Sequence, residues 1–205
     1  LSFGPAEERG LAVAPDGRSL ITSVGMNESA VWIHGSHGER LVSLEGFASF
    51  PVLSADSQRV YYQLRREAPK SNNELWVTDL DSGKSRPVVQ GLSLDNRYDV
   101  SSDEAEVVFA APAPGGVMQV WVASMNPLAL PVQVTSSGGD QPFFGPDGDI
   151  IFRRSEGNAN YIYRMRRDGS EPARIVPHSI LNIKAVSPDH RWAIILAPGD
   201  GTPST

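Results

Sequence analysis

The chain has no cysteine in 205 residues, which removes disulfides, thiolate metal sites and cysteine nucleophiles together. It is also short of positive charge. Eighteen Lys and Arg stand against 24 Asp and Glu, a formal net charge of −6, and phosphate backbones need a concentrated basic surface, so no nucleic-acid partner is expected. Long apolar runs are missing too. The longest, Trp192 to Ala197, is one strand's worth, far below the roughly 18–20 residues that span a bilayer, so no membrane insertion is expected. No basic segment followed by an apolar one opens the chain. It begins with Leu1 rather than methionine, and an excised or processed piece of a longer protein is expected. Four histidines, His34, His37, His178 and His190, show no metal-ligand spacing and read as surface or turn residues.

What is abundant is turn chemistry. Nineteen Gly and sixteen Pro are scattered rather than clustered, as in a fold of many tight turns. Five times an aspartate-centred turn separates two short apolar runs: Ala14-Pro15-Asp16-Gly17, Ser54-Ala55-Asp56-Ser57, Ser102-Asp103-Glu104, Gly145-Pro146-Asp147-Gly148 and Ser187-Pro188-Asp189-His190. The aspartates are 40, 47, 44 and 42 residues apart. A second landmark keeps the same period: Trp32, Trp76 and Trp121 each sit between apolar residues and Tyr163 follows one, at spacings of 44, 45 and 42 residues. Several short strands per 40–45 residues is the mark of propeller blades.

The expected fold class is therefore all-β, a β-propeller with four blades of four antiparallel strands and the A–B hairpin of a fifth, part of a larger ring. The blades fall at about 10–46, 47–92, 93–138 and 139–179, with a partial blade at 180–200 and a tail at 201–205. The aspartate accepts backbone N–H groups of an Asx-turn, while Gly17 and Gly148 supply positive φ. Where Ser57, Glu104 and His190 replace that glycine, a somewhat looser hairpin is expected. The in-phase aromatics read as wedges between blades, because packing must recur in every blade and function need not.

These units resemble the TolB-type WD40-like propeller repeats, also called PD40 repeats. The likeness rests on Ala14-Pro15-Asp16-Gly17-Arg18-Ser19-Leu20, on Leu75-Trp76-Val77-Thr78-Asp79-Leu80-Asp81-Ser82-Gly83, on Phe144-Gly145-Pro146-Asp147-Gly148, and on Tyr163-Arg164-Met165-Arg166-Arg167-Asp168-Gly169. The resemblance implies a bacterial module that binds a protein, peptide or other ligand and is not itself an enzyme, or alternatively the substrate-gating propeller of a prolyl-oligopeptidase-like hydrolase. Such repeats occur in periplasmic TolB, in sensor regions attached to kinases or transcriptional regulators, and in the gating propellers of prolyl-oligopeptidase-type hydrolases. It leaves the compartment open, with an extracytoplasmic setting ahead of the cytoplasm, and it transfers no functional residue.

Candidate chemistry is sparse. Asp79-Leu80-Asp81-Ser82-Gly83 has the start of a calcium loop but no Glu at its twelfth position, and reads as a C–D turn. Asp103, Glu104 and Glu106 read as a solvated acidic hairpin. No nucleophile elbow of the Gly-x-Ser-x-Gly type is present, and no catalytic residue, metal ligand or cofactor is assigned. The basic residues are less evenly spread. Arg65, Arg66 and Lys70 share one B–C loop, Arg153 and Arg154 open another, and Arg97 and Lys184 stand at strand A entries. Propeller B–C and D–A loops share a face around the channel mouth. These seven are either ordinary solvated charges or an Arg-lined mouth for an acidic peptide or carboxylate. The unpaired edge of the last hairpin also makes self-association an expectation.

Overall fold

A computed structural model describes residues 7–14, 17, 19–25, 29–36, 38–66, 73–89, 94, 97–126, 129–187 and 189–199, with side chains outside 7–12, 20–25 and 89. Asp16, His37, Lys70 and Pro188 thus lie outside the described residues or side chains. Among the described residues every regular element is a strand and none is a helix long and apolar enough to cross a membrane. Chain packing separates two compact units, residues 1–96 with 100–107 and 123–130, and residues 97–99 with 108–122 and 131–205.

The strands come in fours, as the period predicts. The first blade holds β1 (Glu7–Val13), β2 (Leu20–Gly25), β3 (Ser29–Gly35) and β4 (Gly38–Leu41). The second holds β5 (Phe47–Leu53), β6 (Arg59–Arg65), β7 (Glu74–Asp79) and β8 (Ser85–Val89). These two are joined through one parallel pair, Ser29 with Phe47. The third blade is β9 (Tyr98–Val100), β10 (Glu106–Pro112), β11 (Met118–Ser124) and β12 (Val132–Gln133). The fourth is β13 (Asp140–Phe144), β14 (Ile150–Glu156), β15 (Ala159–Met165) and β16 (Ala173–Arg174). A two-stranded sheet follows, β17 (Asn182–Val186) and β18 (Ala193–Leu196).

Covering both faces of a blade explains why its second strand reads as a nearly continuous apolar run. In β6, Val60, Tyr62 and Leu64 enter a core with Val31, Val42, Ala48, Trp76 and Leu80, while Tyr61 and Gln63 are buried from the opposite face. In β14, Ile150 and Phe152 join Val108, Val120, Val122, Phe144 and Met165, whereas Ile151 packs against Phe143, Ile162, Ile180 and Ile183. Burying a large aromatic or aliphatic side chain on either face stabilises by about 1.5–3 kcal/mol. The aromatic landmark of the third strand is less uniform than a wedge. Trp76 is 8% exposed, Trp121 and Tyr163 are half-buried, and Trp32 is 41% exposed. Trp121 donates Nε1–H to Ala111 O at 3.2 Å, and Tyr163 stacks tilted on Phe152 with centroids 5.8 Å apart.

The aspartate turns show why three of them dispense with glycine. In the second blade Ser54 Oγ donates to Asp56 Oδ1 at 2.5 Å, Gln58 N donates to the same oxygen at 2.9 Å, and Arg59 N donates to Ser54 Oγ at 2.9 Å. Ser101 and Asp103 repeat this at 2.6, 3.1 and 3.0 Å, and Ser187 and Asp189 at 2.5, 3.1 and 3.0 Å. Ser57, Glu104 and His190 take φ of 59°, 55° and 55°. Gly148 occupies the matching place at 76°, and there the leading serine is replaced by Gly145. The closing backbone bonds are as short without glycine, 2.9, 2.8 and 2.8 Å, as the 3.0 Å bond of Gly148. So these hairpins are not looser. A hydroxyl–carboxylate lattice offsets a left-handed strain of about 1–2 kcal/mol per residue.

The acidic hairpin is not merely solvated. Glu104 Oε2 accepts from Arg59 Nη1 and from Tyr61 Oη, both at 2.5 Å, tying the third blade's turn to the second blade within the first unit. Burial first, then Glu104, pushes the Tyr61 hydroxyl well above its usual range, and Glu104 in turn raises Arg59. The calcium-loop start at Asp79 is a turn: its Oδ1 accepts Ser82 N and Oγ, each at 2.7 Å, and these bonds lower its carboxyl.

Candidate functional site

Four first strands, β1, β5, β13 and β17, are bent within their length. Register shifts interrupt the pairing between Arg9 and Leu11, Ser49 and Val52, Asp140 and Phe143, and Ile183 and Ala185. Two bulges hold a non-glycine residue at positive φ directly before proline, Phe50 at 51° and Gln141 at 49°. A bulge re-aims side chains, and strain of this kind persists only where surrounding bonds over-determine it. At Gln141 those bonds are visible. Its Oε1 accepts Ile183 N at 2.9 Å, linking the first strand of the fourth blade to β17.

Next to that bulge, Asp140 anchors one of the second unit's arginines. Arg153, on β14, donates Nε and Nη2 to the two oxygens of Asp140 at 2.7 and 2.5 Å, and Nη1 to Leu181 O at 2.6 Å. This bidentate fork raises the Arg153 guanidinium above its usual range. Arg97, entering β9, donates Nη1 to Lys184 O at 3.2 Å, three residues beyond the carbonyl that Arg153 holds. Burial first, then the like charge of Arg153, lowers Arg97. Among the described residues no carboxylate pairs with it. Asp99, two residues further on, is committed elsewhere: its Oδ2 accepts Phe144 N at 2.9 Å and lies 3.4 Å from His190 Nε2.

Of the seven basic residues singled out in the sequence, Arg97, Arg153 and the backbone of Lys184 come together. The Lys184 side chain is exposed. Arg154 lies over Tyr163 at 5.0 Å from the ring centroid, in the same unit. Arg65 and Arg66 belong to the other unit, where they cover Phe47 at 5.0 Å and Trp76 at 4.7 Å. Such cation–π stacking commits a guanidinium to a ring face. Sequence reasoning did not find Asp140, Gln141 or the Asp99–His190 pair. The signal available was that Gln141 and Asp99 sit on first strands, 42 and 45 residues from Ile183 and Phe144, whose amides they accept, about one blade period in each case. His34 and Glu39 form an exposed pair at 3.2 Å, His178 is exposed, and His190 is the half-buried exception. The described residues contain no group of three His, Asp or Glu placed to hold a metal ion.

Comparison with solved structures shows the fold to be a β-propeller, similar to that of TolB. TolB from Acinetobacter baumannii superposes with a TM-score of 0.70 at 16% identity, covering 94% of this chain and 47% of its own. An oligogalacturonate lyase in complex with manganese gives 0.72 at 14% identity, covering 96% and 61%. The β-propeller domain of the trilobed protease from Pyrococcus furiosus gives 0.61 at 16% identity, covering 83% and 57%. The chain therefore spans less than two thirds of the length of these neighbours, and at such identities the likeness is one of fold. No family model and no curated protein matches the sequence.

Proposed function

We propose that this chain is a non-catalytic propeller module that binds a protein or peptide partner, as a sensor or interaction region of a larger bacterial protein, such as one carrying a kinase or a transcriptional regulator. Binding falls to the first-strand entries and B–C loops, where loops on a rigid sheet scaffold are free to vary. The observation that carries this reading is the half-buried Arg97, a charge that the described residues leave without a carboxylate, beside a strained bulge. The likeness to TolB agrees with such a role without assigning it.

A second reading has its own support. The propeller of the trilobed protease and prolyl endopeptidases are also neighbours, so the chain fits a substrate-gating propeller of a prolyl-oligopeptidase-like hydrolase whose catalytic part is a separate domain. Panning a random peptide library against the isolated chain tests the first reading. Recovered peptides that bind reversibly and are returned intact support it. Turnover of a peptide or an oligogalacturonide by the chain itself, or failure to recover any binder, contradicts it.

A further inference from the structure

We infer that Arg97 is the recognition residue of a carboxylate-binding site at the first-strand entries of the second unit, and that its ligand is the carboxylate of a peptide. This rests on the binding-module reading and names what the module recognises.

The two arginines of the site differ in what they have left to give. Arg153 spends Nε and Nη2 on Asp140 and Nη1 on Leu181 O, so its charge is matched and its fork is closed. Arg97 spends Nη1 on one neutral carbonyl, Lys184 O, out of a guanidinium's five N–H donors. Moving a cation out of water is costly unless a counter-charge or several hydrogen bonds compensate. Arg97 is half-buried, meets a like charge in Arg153, and has no carboxylate partner among the described residues. It cannot shed the charge by deprotonating, since guanidinium stays protonated in proteins. A stable fold that keeps such a group gains most from a ligand that supplies the missing anion.

The chemistry of the surroundings narrows that anion. A planar guanidinium fork matches carboxylate and phosphate alike. Asp140 already lies on Arg153, Asp99 is two residues along β9, and the whole chain carries −6. A dianionic phosphate meets more repulsion there than a singly charged carboxylate. Asp140, next to the Gln141 bulge at φ 49°, gives both carboxylate oxygens to Arg153 and makes no pair with Arg97. The carboxylate could come from an Asp or Glu side chain or from a C-terminus. The recognition chemistry is the same.

The test titrates the intact chain with three peptides while following the Arg97 Nε–H signal by NMR. One is acetyl-Ala-Glu-Glu-Ala-amide, one acetyl-tetra-alanine with a free C-terminus, and one its amide. Inorganic phosphate is run alongside. At least one carboxylate peptide is expected to shift the Arg97 signal saturably, and the uncharged amide is not. Saturation by the blocked Glu peptide assigns side-chain carboxylates, and by the free C-terminus a terminal one. Arg97→Gln, which deletes a single hydrogen bond to Lys184 O, is expected to keep its thermal midpoint and to weaken binding by about tenfold or more, the scale of a charge-assisted bond. The proposal is overturned if neither carboxylate peptide moves the signal, if Arg97→Gln binds as tightly as the parent, or if phosphate binds more tightly than both peptides. Library-selected peptides that bind parent and Arg97→Gln equally would sink this site while leaving the binding-module reading standing.

Discussion

Replacing Glu104 by alanine removes the carboxylate that Arg59 and Tyr61 share. Its side chain is 15% exposed, and Tyr61 as a whole is 3% exposed, so the lost bond to Tyr61 leaves a buried hydroxyl with its charged partner gone. That share costs about 1.5–3 kcal/mol. The Arg59 side chain is 39% exposed, so its ion pair is screened and contributes only about 0.5–1 kcal/mol. Together Glu104→Ala is expected to destabilise by about 2–4 kcal/mol. Glu104→Gly loses the same bonds but relieves the φ of 55°, so it should recover about 1 kcal/mol of that loss. Urea unfolding followed by the fluorescence of Trp76, buried in the same unit, reads both values. A Glu104→Ala change within about 0.5 kcal/mol of the parent, on the scale of an ordinary surface substitution, would refute the reasoning, as would a glycine variant no better than alanine.

The remaining expectations follow from other contacts. Tyr61 in the fold is raised above the ordinary value of 10.0, so its neutral form is favoured. That stability is present below about pH 10 and is lost as pH rises beyond it, and Tyr61→Phe should flatten the alkaline end of the stability profile. Asp189 is lowered from 3.8, chiefly by the Ser187 hydroxyl. Its contribution is present above that value and lost as pH falls through the depressed one; Ser187→Ala should move the Asp189 carboxyl back up in an NMR titration. A Cβ on Gly169 would meet Val134 O, at a φ of 86°, so Gly169→Ala should cost more than about 2 kcal/mol in thermal unfolding. Trp76→Ala should cost about 3–5 kcal/mol, whereas Trp192→Ser, at a site 75% exposed, should stay within about 0.5 kcal/mol.

Blade count, strand order and turn positions were legible because each depends on residues near one another in sequence. The Pro-Asp-Gly turn and the nearly continuous apolar run of β6 are written locally. The exchange of glycine for serine was legible in principle, since Ser54, Ser101 and Ser187 precede the three turns that lack glycine. It went unread because the hydroxyl's bond to the carboxylate two residues on is a geometric fact. Glu104 looked solvated for a different reason. Its partners, Arg59 and Tyr61, are 45 and 43 residues away, and only the stacking of blades brings them within reach. The same holds at the candidate site. Arg65, Arg66 and Arg154 share the composition of Arg97, yet each lies on an aromatic ring supplied by a neighbouring strand. Nothing local to Arg97 marks it as half-buried with neither an aromatic ring nor a carboxylate against it among the described residues.

Amide hydrogen exchange, with and without a library-selected peptide, tests the binding-module account most directly. Protection on binding should concentrate at Tyr98, Asp140 and Asn182, the residues that open β9, β13 and β17. Protection confined to the outer strands β12 and β16, with these three entries unchanged, would contradict it.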